Sequence, residues 1–194
     1  MRIIIKAILN FCIQIVYRPK IVGKKNIPEN GAAIICPNHI HALDAAVVVL
    51  TAKRKINILA KEELYKYWIL RYLAKTFGAH PVNRKTADIS AVKVSMKILK
   101  DGEPLLIFPE GTRNGMEKGR KAKNGAVTLA LKTGAPIVPI GIQGTCKPFT
   151  KVKLNIGKPI YYDKNNVDAK NKEEIDKLTE DLMQEIIALT KEKI

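Results

Sequence analysis

Acidic residues are scarce in this chain: 18 aspartates and glutamates stand against 34 lysines and arginines, a net charge of +16 over 194 residues. A field of that sign draws anionic partners: nucleic acid, phospholipid head groups, phosphate-bearing substrates or an acidic carrier protein. Charge alone does not choose among them. Cysteine is nearly absent as well. Cys12, Cys36 and Cys146 are odd in number and at no metal-binding spacing, which excludes a disulfide frame and a zinc site and reads as reduced thiols. Cys36 lies in an apolar run, where a thiol is inert rather than nucleophilic. Internal repeats and low-complexity segments are missing too. The 46% hydrophobic and 27% charged fractions are those of an ordinary globular protein, and a chain of this length forms one domain with a core of its own.

A long apolar run is also lacking. In the nearest approach, residues 3–17 with Arg2 just before them, the polar residues Arg2, Lys6, Asn10 and Gln14 recur at every fourth position. On a helix these form one narrow polar stripe. Fifteen helical residues span roughly 22 Å at about 1.5 Å each, short of the ~30 Å hydrocarbon core. In place of a small-residue cleavage site comes Tyr17-Arg18-Pro19-Lys20, a helix stop. A broad apolar face beside a cationic stripe predicts a helix lying in the membrane interface over residues 1–18; the alternative is a helix packed on the protein's own core.

Strand-like runs then fall at 32–36, 56–59, 104–108, 137–142 and 152–156, several apolar enough to be buried on both faces. Helical patterns at 44–51, 62–77, 87–100 and 124–132 lie between them. A last helix at about 172–191 presents Ile175, Leu178, Leu182, Ile186 and Leu189 on one face, with Asn171 and Glu174 placed as a capping box. The alternation predicts a single α/β domain over 19–194, a mostly parallel or mixed sheet flanked by helices. Ligands in such folds bind beyond the carboxyl ends of strands, so those segments are the candidates for chemistry.

After the first run comes Pro37-Asn38-His39-Ile40-His41-Ala42-Leu43-Asp44. Five residues apart on one regular helix, His39 and Asp44 point about 140° away from each other. With His39 in a turn and Asp44 at a helix start, the carboxylate reaches the imidazole and orients it as a base. The other reading makes Asp44 a helix cap and His39 a loop residue. After the run at 104–108 comes Pro109-Glu110-Gly111-Thr112-Arg113-Asn114. Gly111 permits close backbone approach to a ligand. Thr112 offers a donor, Arg113 a bidentate fork for phosphate, and Glu110 an acceptor for a polyol.

NHxxxxD followed some seventy residues later by FPEGTR resembles the glycerophospholipid acyltransferase family, in particular its 1-acyl-glycerol-3-phosphate acyltransferases. Residues Gly78-Ala79-His80-Pro81-Val82-Asn83-Arg84 resemble the second block of that family, and Ile137-Val138-Pro139-Ile140 the fourth. The resemblance covers roughly residues 20–160, with the motifs inside 32–145. It implies a base at His39, oriented by Asp44, that deprotonates an acceptor hydroxyl. It also implies acceptor binding by Glu110, Gly111 and Arg113, with Thr112 as the donor between them, and phosphate contact from Arg84. Where the family has Phe-Lys-Lys-Gly-Ala, this chain has Ala122-Lys123-Asn124-Gly125-Ala126, which leaves Lys123 as the phosphate candidate. The family often has serine where His41 stands, and motif position makes His39 rather than His41 the base. His80, before Pro81, reads as structural.

The expectation is a phospholipid-biosynthesis enzyme at the cytoplasmic face of the cell membrane, bound peripherally. It takes lysophosphatidic acid and an acyl carrier protein or coenzyme A thioester to phosphatidic acid, with no metal or cofactor. Glycerol 3-phosphate or another lysolipid is the alternative acceptor. A non-enzymatic basic protein binding anionic membrane or nucleic acid is the rival class; it has no use for a base, and no nucleic-acid partner is expected. Tyr65, Tyr67, Trp68, Tyr72 and Phe77, interleaved with Lys66, Arg71 and Lys75, read as an interfacial aromatic-basic surface or as core.

Overall fold

The computed structural model describes residues 8, 11, 13–82, 87–115, 117–144, 149–163, 167 and 171–192. Among these residues seven strands form one sheet: β1 (Lys20–Val22), β2 (Ala33–Pro37), β3 (Asn57–Lys61), β4 (Ala79–Val82), β5 (Pro104–Leu106), β6 (Ile137–Gln143) and β7 (Lys153–Ile156). Their spatial order is β1-β7-β6-β2-β5-β3-β4, and every pairing is parallel except β6 with β7. Helices α1 (Asp44–Thr51), α2 (Trp68–Thr76), α3 (Ala87–Lys100), α4 (Gly125–Thr133) and α5 (Lys172–Lys191) cover the two faces. The mixed α/β sheet anticipated from the alternation is present.

The period-two geometry of a strand divides the core. On β2, Ile34 and Cys36 enter one apolar cluster with Ala126, Leu129, Ala130, Leu182 and Ile186. Ala33 and Ile35 enter the opposite one with Tyr17, Val47 and Val48. All five β2 residues are buried, which is why the run at 32–36 is continuously apolar. Burial pushes the Cys36 thiol far above its ordinary range, as fits an inert core residue.

The apolar face read on α5 packs on β6, with Ile175, Leu182, Ile186 and Leu189 buried. Asn171 caps the helix, its side chain accepting from the backbone amides of Glu173 and Glu174. The approach is close. A Cβ added at Gly141 would sit 2.4 Å from the Leu189 carbonyl carbon and 2.6 Å from the Thr190 nitrogen. Gly141→Val is therefore expected to lever α5 off the sheet and to cost about 3 kcal/mol or more, read as a fall in the urea midpoint.

Three features depart from the sequence reading. The edge strands β1 and β4 were not anticipated: β1 is only three residues, two of them exposed. Strand β4 contains Pro81, which an edge position tolerates because only one side of the strand must donate. The predicted helix over 62–77 is broken into a 3₁₀ turn (Glu62–Lys66) and α2, because Tyr67 is extended at φ −92°, ψ 122°. The Tyr65 hydroxyl instead donates to the Ala79 carbonyl at 2.5 Å, tying the turn to β4. Among the described residues of the N-terminal segment, 8, 11 and 13–17 are helical. Ile13, Val16 and Tyr17 pack toward the core, while Ile8, Phe11 and Ile15 are exposed. Arg2, Lys6 and Asn10 of the anticipated polar stripe lie outside the described residues.

Candidate active site

The carboxyl ends of β2 and β5 are adjacent because the two strands pair in register, Ile35 opposite Leu106. Residues 38–43 and 107–124 therefore leave the sheet side by side. This neighbourhood unites two motifs that are some seventy residues apart in sequence.

His39 sits in the turn after β2, and Asp44 is the first residue of α1. Asp44 is only 1% exposed, and the N-cap position of its helix belongs to the preceding Leu43. Its Oδ2 lies 3.0 Å from His39 Nδ1 and accepts from the backbone amides of Ile40 and His41, each at 2.7 Å. Three bonds converging on one oxygen fold the chain back across the five-residue interval. A carboxylate is an acceptor only, so the neutral ring places its proton on Nδ1 and leaves the Nε2 lone pair free for a substrate proton. The His41 backbone amide joins this network, but His41 itself is exposed. Of the two imidazoles, it is the His39 ring that lies against the Asp44 carboxylate.

The second loop holds His39 from the other side. Glu110, 4% exposed, accepts at Oε1 from the His39 amide at 2.7 Å. The Asn114 amide donates to the His39 carbonyl at 2.7 Å. Phe108 stacks on the imidazole with ring centroids 4.0 Å apart and planes 22° off parallel. Next to it, buried Asn38 bridges to β6, donating to the Ile142 carbonyl at 3.0 Å and accepting from the Ile142 amide at 2.6 Å. Glu110, read from sequence as a polyol acceptor, has one oxygen committed to the histidine turn. Phe108, Asn114 and Asn38 as supports were missed. The one local signal was Asn114, at φ 54°, in the left-handed region that asparagine tolerates better than most residues.

Gly111 occupies φ 66°, and a Cβ there would meet the Lys123 stem at 2.9–3.1 Å. Lys123 is thus laid across the Glu110–Gly111 turn, with its own amide bonded to the Pro109 carbonyl at 2.8 Å. Thr112 is half-buried and Arg113 exposed on the same loop. The structure brings together His39, Asp44, Glu110, Gly111, Thr112, Arg113 and Lys123. Arg84 lies outside the described residues, as do Cys12 and Cys146. His80 lies on β4, where Nε2 is 3.0 Å from Asn57 Oδ1; burial, with the nearby Lys55, holds its pKa below the ordinary value.

Two cavities meet at Glu110. One, of about 350 Å³, runs between the 110–124 loop and α5, past Arg120, Lys121, Asn124, Thr179, Met183 and Ile187. The other, of about 320 Å³, is lined by Asn38, Ile40, Asn114, Glu117 and Gln143. No group of three or more His, Cys, Asp or Glu able to hold a metal ion occurs among the described residues. The site offers an imidazole nitrogen turned away from Asp44, on a turn bonded to the loop that carries Arg113 and Lys123. Such a site can take a proton from a hydroxyl on an anionic molecule.

Comparison with known proteins assigns the α/β domain to a family. The chain belongs to the acyltransferase family, whose model matches residues 18–143. Its relatives include 1-acyl-sn-glycerol-3-phosphate acyltransferases, the branch that the four sequence blocks resemble. The enzyme of that name from Bacillus subtilis is 34% identical over 174 residues, 86% of this chain and 85% of the relative. The one from Borreliella burgdorferi is 34% identical over 145 residues, 73% of this chain and 58% of the relative. A crystal structure of the 1-acyl-sn-glycerophosphate acyltransferase PlsC from Thermotoga maritima superposes with a TM-score of 0.71. It is 25% identical, with 100% of this chain and 83% of that one covered.

Proposed function

We propose that the protein transfers a fatty acyl group from an acyl thioester to the free hydroxyl of 1-acyl-glycerol 3-phosphate, giving phosphatidic acid at a membrane surface. The observation that carries this reading is the His39–Asp44 pair, 3.0 Å apart, on a loop beside Arg113 and Lys123. His39 Nε2 takes the acceptor's hydroxyl proton as the oxygen attacks the thioester carbonyl. The tetrahedral intermediate collapses with cleavage of the C–S bond, and the imidazolium returns the proton to the departing thiolate. Asp44 holds the ring in the working tautomer and stabilises the imidazolium. Arg113 and Lys123, with Arg84, bind the acceptor phosphate; Glu110 fixes the histidine turn, with Gly111 and Thr112 completing the acceptor loop. The thioester belongs to acyl carrier protein or coenzyme A. A substrate with a long acyl chain is drawn from a bilayer rather than from water. The exposed apolar face of the N-terminal helix and the +16 charge fit peripheral attachment to anionic lipid at the cytoplasmic face. No helix among the described residues is long and apolar enough to cross a membrane.

Mass-spectrometric product analysis tests the reading. Full-length protein given acyl thioester and vesicles holding lysophosphatidic acid is expected to form phosphatidic acid, one molecule for each thiol released. Acylation of glycerol 3-phosphate alone under the same conditions would move the assignment to a different acceptor. The phosphate role has its own test. Arg113→Lys is expected to raise the acceptor KM about five- to tenfold, because lysine cannot reproduce a bidentate fork, with the donor KM nearly unchanged. A change confined to the donor KM would place Arg113 on the donor's phosphates.

A further inference from the structure

Three non-glycine residues among those described have positive φ: Arg18 at 37°, Asn114 at 54° and Phe149 at 65°. Asn114 belongs to the active site. Arg18 and Phe149 flank a different place, where the N-terminal helix runs into the sheet. There the Phe149 amide donates to the Val16 carbonyl at 2.7 Å, the Val152 amide to the Tyr17 carbonyl at 3.0 Å, and the Lys20 amide to the Val152 carbonyl at 2.9 Å. A bulky aromatic in the left-handed region is strained, and such strain persists only where the surroundings impose it, often for a function. Packing does not explain it: Phe149 is 73% exposed. The bond to Val16 sets it beside the last turn of the helix that exposes Ile8, Phe11 and Ile15. Arg18, Lys20 and Lys151, all exposed, surround the junction.

We propose that Phe149 is a second point of insertion into an anionic bilayer, fixed beside the N-terminal helix by the Val16–Phe149 and Tyr17–Val152 backbone bonds. The proposal rests on the membrane-surface reading above and adds a residue and a loop to it. An exposed aromatic ring on a junction that also carries exposed Arg18, Lys20 and Lys151 matches the water–lipid interface of an anionic leaflet. A second copy of the chain is a poor occupant, since it would bring +16 against +16. The pairing has a physical use. One short apolar element gives only reversible attachment, whereas two signals together hold firmly.

Trp68 is the only tryptophan, so Trp68→Phe gives a silent background. In that background Phe149→Trp and, separately, Phe11→Trp report on vesicles of phosphatidylglycerol with brominated acyl chains. The expected result is a blue-shifted, bromine-quenched emission from both positions. In the otherwise native chain, Phe149→Gly is expected to weaken vesicle partition about tenfold. Its unfolding midpoint should not fall, because glycine accepts this φ without strain. Quenching at position 11 without quenching at 149 would overturn the proposal and leave the membrane reading standing. Quenching at neither would overturn both. A lowered midpoint with unchanged partition would make Phe149 a packing residue and likewise overturn the proposal.

Discussion

His39→Ala is expected to abolish acyl transfer while fold and vesicle binding remain. The imidazole stacks on Phe108, and both rings lie at the edge of the core rather than within it. The Asp44 exchange separates orientation from chemistry. Asp44→Asn can still accept a bond at its amide oxygen from the turn. It then presents an NH₂ group as well as a carbonyl to His39 Nδ1, so the working tautomer is no longer enforced and no charge faces the imidazolium. A loss of roughly 10³–10⁴-fold in kcat is expected, the scale on which the same exchange acts in a Ser-His-Asp triad. Circular dichroism and initial rates on the purified variants check this. His41→Ala is the control, with activity near wild type. Loss of activity in His41→Ala with retention in His39→Ala would reverse the assignment.

The second large effect is expected at Glu110, which acts on the backbone of His39. Glu110→Ala leaves the His39 amide without the acceptor 2.7 Å away, and an unsatisfied buried donor costs about 1–3 kcal/mol. The histidine turn shifts to find another partner. Misplacement of a base by about 1 Å is worth on the order of 10²-fold in rate, so kcat is expected to fall by about that factor. Glu110→Gln keeps a carbonyl acceptor and is expected to retain most of the activity. Equal losses in the two variants would mean that the carboxylate charge, rather than its bond to the turn, is what the reaction uses.

The His39–Asp44 relation was legible because it is local. The interval in the chain, together with a strand before and a helix after, leaves a turn that returns the carboxylate to the ring. The companion loop was legible as a motif, yet the bond from Glu110 to the histidine turn was not. Glu110 was read as facing a polyol, and in the fold it grips the backbone of a residue 71 positions earlier. No local pattern carries that contact, which exists because β2 and β5 pair in register. Burial patterning located the central strands and helices α1 to α5, with the segment before α2 misread at extended Tyr67. It failed at the sheet edges. The short β1 alternates exposed and half-buried residues, and Pro81 in β4 argues against a strand unless its edge position is known.

Thiol release from an acyl thioester, followed for wild type and His39→Ala under three acceptor conditions, decides whether His39 is the base. The conditions are lysophosphatidic acid in vesicles, glycerol 3-phosphate, and no acceptor. Release is expected from the wild type with lysophosphatidic acid, little from either other condition, and none above background from His39→Ala. Release at the same rate without acceptor, or an undiminished rate in His39→Ala, would mean that His39 is not the base that activates the lysolipid hydroxyl.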